Sequence, residues 1–524
     1  MTTWKILVAD ELSEEGLEIL AQCGELTIHQ GMSEDLLRST LPSHHALIVR
    51  SATKVTARAL ELVDCLAVIG RAGIGIDNID VPAATERGIV VMNTPEAGAV
   101  TTAEHAVALL LSMARNIAGA DASIRRGEWQ KAQFTGVEIR GKVLGVLGLG
   151  RIGTVVAERG VGLQMEVLAY DPAVSQASAP DNVRIVELEE LLQTADFLTV
   201  HVPLVPATQH LLNADRFALM KPGAMLVHAA RGGIVDETAL CDALDSGHLA
   251  GAALDVFEQE PLAEDSRLRT AKNLVLTPHL GASTKEAKRN VSLDMAHQVQ
   301  TCLAKGVVLN GINVPRIAPS EVALVGPYLE LTNNLASFVT QAFPGRLQSL
   351  RLTLQGAVPE SSSRSLTLAM LAGALAHQMK QPVTPVNAER VAEQAEVRVF
   401  TESSSMKRDF MNLVRVEALI DDVRHNASGT VLGHRHGRLV EIDGILMDAI
   451  PEGPALVTFH VDRPGMLGEI GTVLGQHDVN ISRMQLGEGK EHAIAIFNLA
   501  KPVTDDAFEQ VTELSGIHVA RSVR

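Results

Sequence analysis

The chain has 524 residues, more than one hydrophobic core serves, and this predicts about three or four domains. Its 46% hydrophobic content is that of a soluble globular protein, so disorder is not the expectation. A formal net charge of −17, with the charges interspersed, disfavours nucleic acid and anionic membrane as general partners. The cysteines Cys23, Cys65, Cys241 and Cys302 are scattered without paired spacing. They read as reduced thiols of a cytoplasmic protein, with neither a disulfide framework nor a zinc site, and no metal is expected. The N-terminus leads straight into a strand-like run at 6–9, so no signal peptide is expected. No apolar stretch approaches the ~20 residues that span a bilayer.

In chain order, β-rich runs fall at 5–9, 46–49 and 67–70. A long helix is expected from Thr101, with Glu104 three residues on as a capping box. Its body, 106–113, is apolar nearly all round and predicts burial on several sides. Strand-like runs follow at 143–147, 166–170, 197–201, 224–229, 251–255 and 274–277, with helical patterns between them. That alternation predicts an α/β protein with parallel sheets. A second long helix is expected from Ser283, with Glu286 three later, running through Val291, Met295, Val299 and Leu303 to Gly306. After Pro315 the pattern changes: residues 317–450 mix strand and helix and carry no catalytic constellation. The stretch 453–524, entered through Gly453 and Pro454, reads strand, helix, strand, strand, helix, strand.

The run 143–153 follows a strand, places Gly148, Gly150 and Gly153 in the G-x-G-x-x-G spacing, and opens a helix. Glycines there permit the tight turn, let backbone approach a pyrophosphate, and let the helix pack on the strand. The next strand ends in Asp171, about 20 residues on, where a carboxylate accepts hydrogen bonds from the adenosine ribose and repels a 2′-phosphate. The cofactor expected is therefore NAD.

Downstream, apolar strands deliver Arg231, Glu260 and His279 just past their C-terminal ends, the edge where open α/β sheets bind ligands. Taken singly, each has an ordinary reading as a turn cap, a surface carboxylate or a loop histidine. Together they suit oxidation of a secondary alcohol. A histidine takes the hydroxyl proton, a carboxylate fixes its tautomer, and an arginine grips a substrate carboxylate.

With these motifs the chain resembles the D-isomer-specific 2-hydroxyacid dehydrogenase family. The resemblance rests on 148–153, 201–204, Asn213, 220–223, 231–233, 254–257 with Glu260 and Pro261, and 277–283, and covers the chain to about residue 315. It implies that Arg231, Glu260 and His279 are the substrate arginine, the carboxylate partner and the acid/base. It implies NAD contacts at Ile74, Gly148, Gly150, Arg151, Ile152, Gly153, Asp171, His201, Val202 and Pro203. Further contacts are implied at Ala229, Ala230, Arg231, Asp255, His279, Gly281 and Ala282. The implied fold is a Rossmann-type doubly wound sheet, residues 98–283, inserted in a flavodoxin-like substrate domain of residues 1–97 and 284–315.

Within the family, runs 48–56 and 70–80 are similar to those of the branch acting on 3-phosphoglycerate, at the first step towards serine. That implies Arg50, Ser51, Lys54 and Arg71 around the substrate phosphate, and the Gly73, Ile74 and Gly75 backbone at its carboxylate. The stretch 127–136 is family-like, with Trp129 expected at a dimer contact in a homo-oligomer, a dimer or tetramer. Gly98 departs from the family's usual Asn, which puts the substrate pocket or interdomain hinge in question. Residues 316–450 resemble the extra α+β domain of that branch, where 434–438 is a candidate anion site or a solvated hairpin edge. Residues 453–524 resemble an ACT domain through 460–468 and 479–482, and His460, Asp462 and Asn480 are candidates to hold L-serine as an effector; pairing without a ligand is the alternative. Other 2-hydroxyacid dehydrogenases usually lack both C-terminal domains. A non-enzymatic NAD sensor on the same fold leaves the ACT domain unexplained.

Overall fold

The structure is a computed structural model that describes residues 4–315, 317, 321–356, 360–379, 382–404, 410–433, 435–489 and 492–524. Its contacts divide the chain into two compact units, Thr94–Asp294 and Met1–Asn93 with Met295–Arg524.

The unit Thr94–Asp294 is built on a seven-stranded sheet, parallel throughout. Its order is Leu274–Leu276, Leu249–Leu254, Ala224–His228, Phe197–Val200, Val143–Leu147, Glu166–Tyr170, Val183–Ile185. The chain starts in the middle at Val143–Leu147, runs outward to Val183–Ile185, then returns to the other side at Phe197–Val200. The C-terminal ends of those two central strands therefore form the topological switch point, where such sheets open a crevice for ligand. Alternate residues feed two cores. Val146, Val227 and Ala253 pack with the helix Ala99–Ala114 on one face, and Leu198, Leu226 and Leu254 pack with Leu191, Leu240 and Leu244 on the other.

The helix Ala99–Ala114 buries Thr102, Ala103, Ala106, Leu109, Leu110 and Met113, a stripe at helical spacing, while Val100 is 49% exposed. It starts two residues before the expected Thr101. Its N-cap is Gly98, which has no side chain to offer, and Thr102 Oγ1 instead donates back to the Gly98 carbonyl at 3.0 Å. The second expected capping box is also displaced. The helix is Lys285–Lys305, and Thr284 Oγ1, one residue after Ser283, accepts the Ala287 N–H at 3.1 Å.

In the other unit, a five-stranded parallel sheet runs in the order Gly24–Ile28, Trp4–Val8, Ala46–Val49, Val68–Arg71, Val90–Asn93, the flavodoxin-like order. Further along, Leu347–Gly356 pairs parallel with Arg398–Ser404 and antiparallel with Asn412–Ile420. Val423–Leu432, His436–Ile442 and Ile445–Ala449 complete this six-stranded α+β sheet, against which the helix Val322–Ala342 buries Leu331, Leu335 and Val339. His434 of the candidate anion cluster lies outside the described residues, and Arg438 pairs with Asp448 at 3.4 Å. The last segment is an antiparallel βαββαβ module in the order Ile481–Glu488, Ala493–Leu499, Ala455–His460, Ile517–Val523. Its helices are Met466–Gln476 and Asp505–Glu513.

No single helix among the described residues is long and apolar enough to cross a membrane.

Candidate active site

The glycine turn follows from backbone sterics. Gly148 has φ +95°, and a Cβ there would lie 2.9 Å from the backbone of His201 and Val202, just past the end of the neighbouring strand of the switch point. A Cβ on Gly153 would lie 1.9 Å from the Gly148 carbonyl oxygen, so only glycine lets the helix Arg151–Gly162 close on the strand. Gly150 caps that helix with nothing within 4 Å of its Cβ position, leaving its N-terminal amides open to an anion. Asp171, after the next strand, accepts the Leu149 N–H and the Ala173 N–H, each at 2.9 Å, and so ties the turn to the strand that ends beside it. An open helix N-terminus with a carboxylate about 20 residues on fits a dinucleotide.

Along the same sheet edge lie His201, His228, Asp255 and Thr277 at the ends of successive neighbouring strands. Asp255 is fully buried, and its carboxylate accepts from Thr277 Oγ1 at 2.6 Å and from the Leu280 and Gly281 N–H groups at 2.8 Å each. His105 Nε2, on the long helix, lies 3.1 Å from it. Burial alone would raise this carboxyl's pKa, but the hydrogen bonds from His105, Thr277 and Leu280 outweigh it and hold the group below the usual carboxylate range. Asp255 thus fixes the turn that carries His279, whose own N–H donates to the Asp255 carbonyl at 2.9 Å.

His279 sits in the left-handed region at φ +54°, a conformation a non-glycine residue holds only when its surroundings impose it. Its Nδ1 is 2.7 Å from Oε2 of Glu260. The other Glu260 oxygen accepts the Phe257 N–H at 3.1 Å, so the carboxylate is aimed by backbone. A carboxylate accepts, so Nδ1 carries the proton and Nε2 is the free ring nitrogen on a side chain 48% exposed.

Arg231 follows the strand Ala224–His228 in a turn packed on its neighbour: a Cβ on Gly232 would lie 1.7 Å from the Phe257 carbonyl oxygen. Its Nη1 donates to the Ala230 carbonyl at 2.7 Å. Burial pushes the His228 pKa down to about 4 and that of His201 down to about 3, the second helped by repulsion from the first. His201 Nε2 pairs with Thr199 Oγ1 at 2.9 Å.

In the other unit, Arg50 and Arg71 stand at the C-terminal ends of adjacent strands, where Val49 and Arg71 are in register. The turn at 50–53 is held by Asp10, which accepts from the Arg50 N–H at 2.5 Å and from Thr53 Oγ1 at 2.8 Å. Asn78 donates to the Arg50 and Thr53 carbonyls at 2.7 and 2.6 Å. Gly73, at φ +148°, lies under the Arg71 guanidinium, and Asn93 Nδ2 donates to the Ile74 carbonyl at 2.6 Å. Ser51 and Lys54 are exposed. The sequence assigned no role to Asp10, Asn78, Asn93, His105, Thr277 or the His228 ring, although 70–80 and 277–283 were among the runs singled out, because nothing local marks a polar residue whose partner is far away in the chain.

In the βαββαβ module the strand stops at His460, which is 1% exposed, with Nδ1 3.1 Å from Thr458 Oγ1. Asp462 and Asn480 are exposed. Asp462 lies two residues past the end of that strand.

Three family models match this chain: D-isomer specific 2-hydroxyacid dehydrogenase, NAD binding domain, over residues 107–281; D-3-phosphoglycerate dehydrogenase intervening domain over 324–443; and ACT domain over 455–515. The D-3-phosphoglycerate dehydrogenase of Synechocystis sp. is 39% identical over 527 residues, covering 100% of this chain and 95% of the relative. That of Methanocaldococcus jannaschii is 38% identical, covering 98% of each. A crystal structure of a glyoxylate reductase from Paecilomyes thermophila superposes with a TM-score of 0.56 at 28% identity, over 60% of this chain and 99% of that one. Fold and site together define an NAD-dependent oxidoreductase of the D-isomer-specific 2-hydroxyacid class. Carrying the intervening and ACT domains as well, the chain belongs to the D-3-phosphoglycerate dehydrogenase family.

Proposed function

We propose that this chain interconverts 3-phosphoglycerate and 3-phosphohydroxypyruvate, with NAD as the redox partner, in the first step towards L-serine. The observation that carries the reading is the Glu260–His279 pair at 2.7 Å, with its proton on Nδ1 and Nε2 free. Nε2 takes the proton of the C2 hydroxyl, and Glu260 steadies the imidazolium that results. When bound, NAD supplies the acceptor for the C2 hydride. Arg231 grips the substrate carboxylate and polarises the reacting oxygen, with the amides of 73–75 as further donors. Arg50, Ser51, Lys54 and Arg71 take the phosphate. The Gly148–Gly150–Gly153 turn would hold NAD, with Asp171 for its ribose and the strand-end backbones at 201–203, 229–231, 255 and 279–282 as further contacts.

The division assigned to this function is 1–97 with 284–315 for substrate, 98–283 for NAD, 316–450 intervening, and 453–524 as an ACT domain that binds L-serine through Asp462, Asn480 and His460. The enzyme is cytoplasmic and a homo-oligomer, a dimer or tetramer. An 86% exposed Trp129 and a 55% exposed Ile117 supply apolar surface for a partner copy. The deciding experiment follows NADH oxidation with phosphohydroxypyruvate, hydroxypyruvate, glyoxylate and pyruvate. A higher kcat/KM for phosphohydroxypyruvate is expected, and preference for an unphosphorylated acid would refute the substrate assignment.

A further inference from the structure

The carbonyl oxygen of Arg231 lies 2.9 Å from Nε2 of His228. A carbonyl accepts, so this nitrogen carries a proton. His228 is the last residue of its strand, in register with Val200 on one side and Leu254 on the other, and it is 2% exposed. Its backbone is therefore fixed by the sheet, and its ring is a short strut from the sheet to the turn that presents Arg231. The next strand does the equivalent for His279 with opposite polarity: the Asp255 carboxylate accepts two amides of the 279–281 turn.

The ring is chemically committed to this contact. Burial keeps it neutral, so it has one proton to place. With that proton on Nε2, Nδ1 is an acceptor, and it is buried without a hydrogen-bond partner among the described residues. A leucine would fill the same volume without leaving a buried lone pair idle, so packing alone does not account for a histidine here.

We propose that His228 is a positioning residue: its Nε2–H sets the carbonyl of Arg231, and through it the direction in which the guanidinium leaves the turn. This rests on the reading of Arg231 as the substrate-carboxylate ligand. A displaced guanidinium weakens the grip on every 2-keto acid, phosphorylated or not, and leaves the cofactor turn alone.

The test compares His228→Gln, which keeps an N–H near the ε position, with His228→Asn, whose amide is one bond too short, and His228→Leu, which has none. The substrate is whichever 2-keto acid of the panel the parent turns over fastest, so a mistaken phosphate assignment does not blur the result. The expected outcome is a KM within about threefold of the parent for Gln and raised about tenfold or more for Asn and Leu. NADH affinity, read by fluorescence titration, is expected to change far less than the substrate KM, because the backbone at 229–231 is only one of several stretches assigned to the cofactor. Should the Leu variant not fold, Gln against Asn decides. Equal KM values for Gln and Asn, or a loss of NADH affinity that parallels the loss of substrate affinity, would overturn the proposal.

Discussion

Nδ1 of His279 lies 2.7 Å from Oε2 of Glu260, and the other oxygen of that carboxylate is pinned by the Phe257 N–H at 3.1 Å. The imidazole is thus oriented through a side chain that backbone aims. Replacing His279 with Ala is expected to lower kcat by about 10²–10⁴ while NADH still binds. Glu260→Gln should also lower kcat, because an amide no longer stabilises the imidazolium. Turnover of His279→Ala within a few-fold of the parent would remove the histidine from the acid/base role.

Asp171, proposed for the adenosine ribose, also holds the glycine turn through the Leu149 N–H. Asp171→Gly should therefore raise the ratio of kcat/KM for NADP(H) to that for NAD(H), and also weaken NADH binding because the turn loses its tie. An unchanged ratio would show that the ribose contact lies elsewhere.

Arg50 and Arg71 leave neighbouring strand ends that Asp10, Asn78 and Asn93 hold in place. Each changed to Ala should reduce kcat/KM for phosphohydroxypyruvate by about tenfold or more and for hydroxypyruvate far less, since charge-assisted bonds to phosphate are lost. Equal losses on both substrates would mean general damage to the pocket.

Stability should depend on pH through the buried histidines. Unfolded, each titrates near 6.5; folded, burial lowers His228 to about 4 and His201 to about 3. Only the unfolded chain gains protons between these values, so the stability they support is whole above pH 6.5 and declines as the pH falls towards 4. For His228, the difference of 6.5 − 4 corresponds to on the order of 3 kcal/mol. Asp255 has a lowered pKa, so its share is lost only at more acidic pH, as the folded carboxyl itself is protonated. Denaturant midpoints from pH 7.5 to 5 should fall, and more shallowly in His228→Gln; an identical slope in that variant would contradict the assignment.

Serine is expected to bind the ACT domain and lower activity by favouring one conformation or assembly, with coupling of about 1–3 kcal/mol. Asn480→Ala should abolish calorimetric binding and leave catalysis intact. No heat of binding at millimolar serine would leave the domain without this ligand.

The glycine turn, Asp171 and the run of parallel strands were legible in the sequence because each rests on local rules: a positive φ, a helix N-terminus, an apolar run between turns. Arg231, Glu260 and His279 were legible as candidates because they follow such runs. The strands Gly24–Ile28 and Val183–Ile185, edge strands with little apolar signal, were not among the runs singled out. Both capping boxes misplaced a helix start, since Ser/Thr-x-x-Glu marks only a possible cap: burial of Ala99 and Thr102 chose an earlier start for the first helix, and Thr284 caps the second one residue later. What the sequence by itself determined is the sheet class and which strand ends carry the candidate residues. Only the tertiary structure decided how those side chains are held: Asp10 on a turn 40 residues away, Asp255 on amides 25 and 26 residues on, and Glu260 on a histidine 19 residues on. Partners so far apart leave no periodicity in the chain, because sheet order, and not sequence spacing, brings them together.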